Sequence, residues 1–206
     1  MALDPQVRDV IDMWRAGGLA AAPGRSGPAD DDLIAAIMAL QGEPEPVDGV
    51  RALTLPGPDT GLPARVYRPL ADGDRGGIDD GGLPVLVYLH GGELMLRGGL
   101  GHGGLDLVDR PCRALANATG AVVTSVRCRG GPGAPFPTAV RDAQAATDWF
   151  AEHAAELGGD PARIGVAGHG AGAMMAAALT QRARWRGPVL ALQLLLCPLL
   201  DLAGGW

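Results

Sequence analysis

Lysine is absent from this 206-residue sequence, and all 17 basic side chains are arginine. Serine is nearly absent: Ser26 and Ser125 stand against 33 glycines and 34 alanines. Such a bias is typical of GC-rich coding rather than of a function, so single Gly, Ala and Arg positions carry little information. Cysteine is scarce and odd in number. Cys112, Cys128 and Cys197 fall inside predicted helix or strand, which excludes a disulfide scaffold and fits a reduced, cytosolic protein. Positive charge is in deficit, with 17 basic against 23 acidic side chains and a net charge of −6. The arginines are scattered and form no basic stripe, so nucleic acid is excluded as a partner. Long hydrophobic runs are also lacking. The greasiest stretch, 190–200, is broken by Gln193 and Pro198, and Asp4, Asp9 and Asp12 occupy the region where an export leader is basic and then apolar. A cytoplasmic location without membrane contact is expected. What is present is 47% hydrophobic, enough for the core of one soluble domain.

Asp4-Pro5 caps a first predicted helix whose Val7, Val10, Ile11 and Trp14 share one face. A second short helix follows Asp30, Asp31 and Asp32, with Leu33, Ile34, Ile37 and Leu40 apolar and Gly42 just beyond its end. From Val50 onward the pattern predicts strands at 51–55, 64–68, 85–90, 121–126, 164–167 and 190–196. The last four are nearly continuous apolar runs, as in strands covered on both faces. Helical stretches at 106–119, 138–157 and 171–184 separate them, with Trp149, Met174 and Met175 as packing residues. Alternating strand and helix predicts an α/β fold with a mostly parallel sheet and helices on both faces. The Gly- and Asp-rich segment 71–82 reads as a mobile connection, and no linker is long enough to divide the chain into two domains.

Two loops carry the chemical information, and both follow the carboxyl end of a predicted parallel strand, where open α/β sheets bind ligands. The first is His90-Gly91-Gly92-Glu93. The second is Gly168-His169-Gly170-Ala171-Gly172, set between a strand and an Ala-rich helix. This is the setting of a nucleophile elbow, G-x-S-x-G, whose glycines allow strand and helix to approach closely. Here its central position is Gly170.

These loops, with Pro135-Phe136-Pro137 followed by Asp142, with the run from Gly159 to Ile164, and with the two amino-terminal helices, resemble the bacterial hormone-sensitive-lipase-like carboxylesterases of the α/β-hydrolase fold. The resemblance covers essentially the whole chain. It implies a helical cap over 1–45 and an α/β-hydrolase core over 46–206, incomplete at its carboxyl-terminal side. It also implies an oxyanion hole formed by backbone N–H groups around His90, Gly91, Gly92 and Ala171, a nucleophile at Gly170, and an acid and a His that lie past Trp206 in the family.

The departures from the family fall on chemistry. Gly170 has no side chain to form an acyl intermediate, and neither serine lies near the elbow in the predicted order. His169 replaces an acidic residue, and Glu93 replaces the third glycine of the oxyanion loop. An inward-pointing, ionised Glu93 opposes the oxyanion by a few kcal/mol at an effective dielectric of about 20, whereas pointing to water it costs little. With the chain ending at Trp206, these changes suggest a decayed or truncated ester hydrolase, inactive or nearly so. No cofactor is implied, and a small apolar or acyl compound is the ligand the resemblance suggests.

Two alternatives stay open: a non-catalytic small-molecule-binding protein, and a hydrolase rebuilt around Glu93 as general base or around a metal held by His90, His102, His169 and Asp106. The histidine spacing matches no metal motif, so no metal is expected. A Cys128–His pair is set aside in favour of a structural Cys128, with His102 solvated in a Gly-rich loop and His153 on an exposed helix face. The stretch from Arg127 to Pro137 has lost most of the family's side chains and is expected to be loose. Strand 190–196 is expected at an apolar sheet edge, open to self-association.

Overall fold

The structure is a computed structural model that describes residues 41–71, 82–91, 104–130, 133–135, 137–198 and 200, together with Pro5, Arg8, Ile11, Asp12 and Met38. Contacts divide the chain into two units, Met1–Glu43 and Pro44–Trp206. In the first, Pro5, Arg8, Ile11, Asp12 and Met38 are helical. Trp14, Ser26, most of the two amino-terminal helices, residues 72–81, Gly92, Glu93, His102 and Phe136 lie outside the described residues.

The second unit runs β1 (Gly49–Pro56), β2 (Gly61–Arg68), β3 (Leu83–His90), α1 (Asp109–Thr119), β4 (Val122–Val126), α2 (Thr138–Glu152), a 3-10 turn (Ala155–Leu157), β5 (Gly159–His169), α3 (Ala171–Ala183) and β6 (Leu190–Leu196). They form one six-stranded sheet in the order β1-β2-β4-β3-β5-β6. Strands β4, β3, β5 and β6 are parallel. β1 pairs antiparallel with β2, and β2 antiparallel with β4, so the sheet is mixed at one end.

Side-chain alternation along the strands divides the core into two layers. Val85, Val87 and Leu89 of β3, with Val122, Val126, Ile164 and Val166, face α2 and α3. Helix α2 presents Ala139, Val140, Ala143, Ala146 and Phe150 at helical spacing, and α3 presents Met175, Ala176 and Leu179. On the opposite face Leu86 and Tyr88 join Tyr67, Val123 and Ala167 under α1, which contributes Cys112 and Ala116. Helices therefore cover both faces, as the sequence pattern predicts. Burial of these side chains, about 1.5–3 kcal/mol each, is the main stabilising term.

Two element boundaries differ most from expectation. Helix α2 ends at Glu152 rather than at 157, and the chain continues through a 3-10 turn closed by Gly158 at φ 75°. His153 is therefore not on an exposed helix face. It is half-buried, its ring stacked on Trp149 at 4.2 Å between centroids, with Nδ1 2.9 Å from the Trp149 carbonyl oxygen. Strand β5 starts at Gly159, five residues earlier than its apolar run, because the polar segment before Ile164 also pairs along β3 across a bulge. Cys128 and Cys197 lie just past strand ends instead of inside them, and all three cysteines are free.

Strand β6 is the last in the sheet order; its Leu192 is 55% exposed and Leu196 38%. Among the described residues no helix is long and apolar enough to cross a membrane.

Candidate active site

The two loops singled out in the sequence meet at the carboxyl edge of the sheet. Strands β3 and β5 are neighbours, and their last residues, His90 and His169, are register partners. The chain reverses immediately after His169. Gly170 has φ 57° and ψ −120°, and α3 begins at the next residue. Its carbonyl accepts from the N–H groups of Ala173 at 3.1 Å and Met174 at 3.2 Å, and its own N–H donates to the Leu196 carbonyl at 2.9 Å. The turn is thus tied both to the helix it starts and to strand β6.

The flanking glycines are required by close approach. A Cβ on Gly168 would lie 2.3 Å from the Gly172 carbonyl group, and one on Gly172 would lie 1.9 Å from the Leu89 carbonyl oxygen. A Cβ on Gly91 would come within 2.6 Å of the Ala171 nitrogen, so the loop after β3 packs backbone to backbone on the first turn of α3. A Cβ built on Gly170 meets nothing within 4 Å. The slot has room for a side chain; what disfavours one there is the left-handed backbone.

Ala171 occupies the position whose N–H contributes to an oxyanion hole in a nucleophile elbow, and Gly91 belongs to the loop that supplies the other donors. Gly92 and Glu93 complete that loop outside the described residues, and the general-base role weighed for Glu93 lies there with them. His90 is 7% exposed and its Nε2 has no hydrogen-bond partner. Burial, aided by the nearby Arg127 guanidinium, lowers its pKa to about 4, so the ring is neutral near pH 7. His169, one strand away, is exposed.

Asp106 does not group with His90 and His169. It is ion-paired with Arg65, while Asp109 accepts from Arg113 Nε at 2.7 Å. Among the described residues no group of three or more His, Cys, Asp or Glu side chains could hold a metal ion. Cys128 is buried in the core facing α2 and α3, the structural role expected for it. Cys112 is fully buried, and burial together with Asp109 pushes its thiol pKa up, the opposite of what a nucleophile needs. Ser125 is buried in the middle of the sheet opposite Tyr88, with β3 between it and the elbow strand.

The segment after β4 is not loose where it is described. Arg129 donates from Nε at 2.8 Å and from its backbone N–H at 2.9 Å to Asp142 Oδ2, and from Nη2 at 2.7 Å to Asp142 Oδ1. Nη2 also reaches Asp59 at 2.8 Å. Asp142 is completely buried at the start of α2, so this loop is pinned at its base by a two-pronged charged contact. The sequence motif included Asp142 but offered no sign of its partner thirteen residues upstream.

With this geometry in view, comparison with known proteins is decisive. A profile of the α/β-hydrolase fold matches residues 86–205. This chain belongs to the α/β-hydrolase family. It is 45% identical over 140 residues to the carboxylesterase NlhH of Mycobacterium tuberculosis, covering 68% of this chain and 40% of that enzyme. It superposes on the hyperthermophilic esterase of Pyrobaculum calidifontis with TM-score 0.78 at 32% identity, covering 100% of this chain and 62% of the esterase. An ester hydrolase from the Lake Arreo metagenome gives TM-score 0.79 at 30% identity, covering 98% and 62%. The chain thus spans about two fifths to three fifths of these relatives. Within the α/β-hydrolase family these similarities place it with the hormone-sensitive-lipase-like carboxylesterases.

Proposed function

We propose that this α/β-hydrolase keeps the binding frame of a carboxylic ester hydrolase and lacks its covalent step, so that it turns over esters at a very low rate or not at all. The observation that carries this reading is Gly170, which sits at the apex of an intact strand-turn-helix elbow with the backbone of a nucleophile position and no side chain. In acyl transfer the nucleophile attacks the ester carbonyl, forms the acyl intermediate and releases the alcohol; a glycine forms no such bond. What remains are the N–H of Ala171 and the loop at Gly91, arranged to stabilise a developing oxyanion.

Where a serine nucleophile is removed from a triad enzyme, kcat falls on the order of a millionfold. The oxyanion hole and binding alone leave roughly a thousandfold over water. The deciding experiment is hydrolysis of p-nitrophenyl butyrate by the purified protein, with Gly170→Ser measured beside it. The parent is expected to match the buffer rate within a small factor, and turnover well above it overturns the proposal. The Gly170→Ser arm reports whether a base stands ready beside the restored hydroxyl.

A further inference from the structure

Exposed apolar surface and positive charge coincide at one place, the turn between α3 and β6. Residues 161–200 include four arginines and no aspartate or glutamate, in a chain whose net charge is −6. The same stretch holds five of the seven large apolar side chains that are exposed among the described residues: Trp185, Val189, Leu192, Leu196 and Leu200. Trp185 is 87% exposed and Val189 85%. Arg182, Arg184 and Arg186, which alternate around Trp185, are exposed as well. Four positions separate Trp185 from Val189, at most about 14 Å of chain.

This turn is fixed by the backbone and remote from the elbow. Helix α3 leads away from Gly170 for 13 residues, about 20 Å, and β6 starts at the amino edge of the parallel strands, where Leu190 pairs with Ile164. The N–H groups of Trp185 and Arg186 both donate to the Arg182 carbonyl, at 2.9 and 2.8 Å, and Gly187 at φ 124° redirects the chain into Pro188. Two acids of α2 lie beside Gly187 and Pro188. Asp148 is half-buried, accepts from Gln144 Nε2 at 2.7 Å and is countered by the Arg182 charge, whereas Glu152 is exposed. Among the described residues Arg184 and Arg186 make no ion pair, so two uncommitted guanidinium groups stand against one acid. The negative end of the α3 dipole accounts for cations here. It does not account for an indole held out in water, a side chain whose usual place is a membrane–water interface.

We propose that this turn is a contact surface for an anionic lipid bilayer, with Trp185 and Val189 entering the headgroup layer and Arg184 and Arg186 meeting lipid phosphates. A guanidinium pairs with phosphate in a two-pronged geometry, and an indole sets apolar rings and one polar N–H at the boundary. A polynucleotide would use the cations and the indole but leave the aliphatic Val189 in water, so a lipid surface fits this turn better. The contact involves the headgroup layer only and is not a span. It needs few side chains, which is why no long apolar run marks it in the sequence. Lying at the sheet edge opposite the elbow, it is independent of Gly170 and of ester turnover.

The test is flotation of the whole chain with vesicles of phosphatidylcholine and phosphatidylglycerol at a ratio of about 7:3, beside vesicles of phosphatidylcholine alone. Each arginine near an anionic surface is worth about fivefold in binding. The anionic vesicles are therefore expected to bind at least about tenfold tighter than the neutral ones, and salt at about 0.5 M to release the protein. Trp185→Ala is expected to weaken binding about fivefold or more, and Arg184→Gln combined with Arg186→Gln about 25-fold. All three side chains are exposed, so these variants should melt with the parent. Tryptophan emission should shift to the blue when anionic vesicles are added to the parent and stay in place in Trp185→Phe, which keeps the other three of the four tryptophans. Absence of flotation, equal affinity for the two vesicles, parent-like binding by Trp185→Ala, or a blue shift that survives in Trp185→Phe overturns the proposal. So does a preference for a single-stranded oligonucleotide over the anionic vesicles, which would make the turn a nucleic-acid surface.

Discussion

Adding one carbon at Gly170 separates backbone strain from crowding. The residue has φ 57° and ψ −120°, a conformation that side chains rarely adopt, yet a Cβ there meets nothing within 4 Å. Gly170→Ala and Gly170→Ser should therefore carry only the conformational penalty, about 1–3 kcal/mol, and both should fold. For a chain of this size each kcal/mol lowers Tm by about 2–4 °C. Gly172→Ala is the contrast. Its Cβ would stand 1.9 Å from the Leu89 carbonyl oxygen and 2.6 Å from the Leu89 carbonyl carbon, so strand and helix must part. Neither atom belongs to a flexible side chain that could turn away. The expected loss exceeds 4 kcal/mol or abolishes folding, the range of severe core disruption. Thermal unfolding followed by circular dichroism, with urea titration for free energies, measures all three. If Gly170→Ala costs as much as Gly172→Ala, the open slot above the elbow does not exist and the nucleophile-position assignment of Gly170 fails with it.

His90 titrates near 4 when folded against about 6.5 when unfolded, so the unfolded chain binds more protons between these values and stability rises with pH across that window. The contribution is fully present above pH 6.5 and lost as pH falls through 4, about 3 kcal/mol in all. Urea midpoints measured from pH 4 to 7 should show it, and His90→Gln should flatten the profile. Arg129→Met leaves the fully buried Asp142 carboxylate without its guanidinium and should cost about 3–5 kcal/mol; Asp142→Asn, which leaves a partly exposed Arg129, should cost less. The reverse order in urea titrations would contradict the clamp. Strand β6 carries no charged residue, and its Leu192 is 55% exposed, so Leu192→Lys should lower light scattering in concentrated solutions of this chain without lowering Tm.

The parts of this molecule legible in its sequence are those enforced by local rules. Strands β3 to β6 show as apolar runs because both their faces are covered, and the elbow shows because Gly168 and Gly172 sit where any Cβ would strike backbone 1.9–2.3 Å away. The apolar pattern continues through Leu157 and so predicts a longer α2, whereas the helix ends at Glu152 and the chain closes on the left-handed Gly158. What was not legible depends on strand order. The antiparallel placement of β2 against β4 leaves no mark on either strand, since alternation along β2 reports which face is buried but not which neighbour is paired. The Arg129–Asp142 clamp is hidden for the same reason: its partners lie on a loop and a helix with no shared period, and only the tertiary fold brings buried carboxylate and guanidinium together. The meeting of the two loops is the strongest case. His90 and His169 lie 79 positions apart, at the ends of two strands, and they become neighbours only once the order β4-β3-β5-β6 aligns those ends in register. An arrangement built across strands in this way is invisible to motif spacing, whereas the elbow, built within one strand-turn-helix, is visible from Gly168 and Gly172 alone.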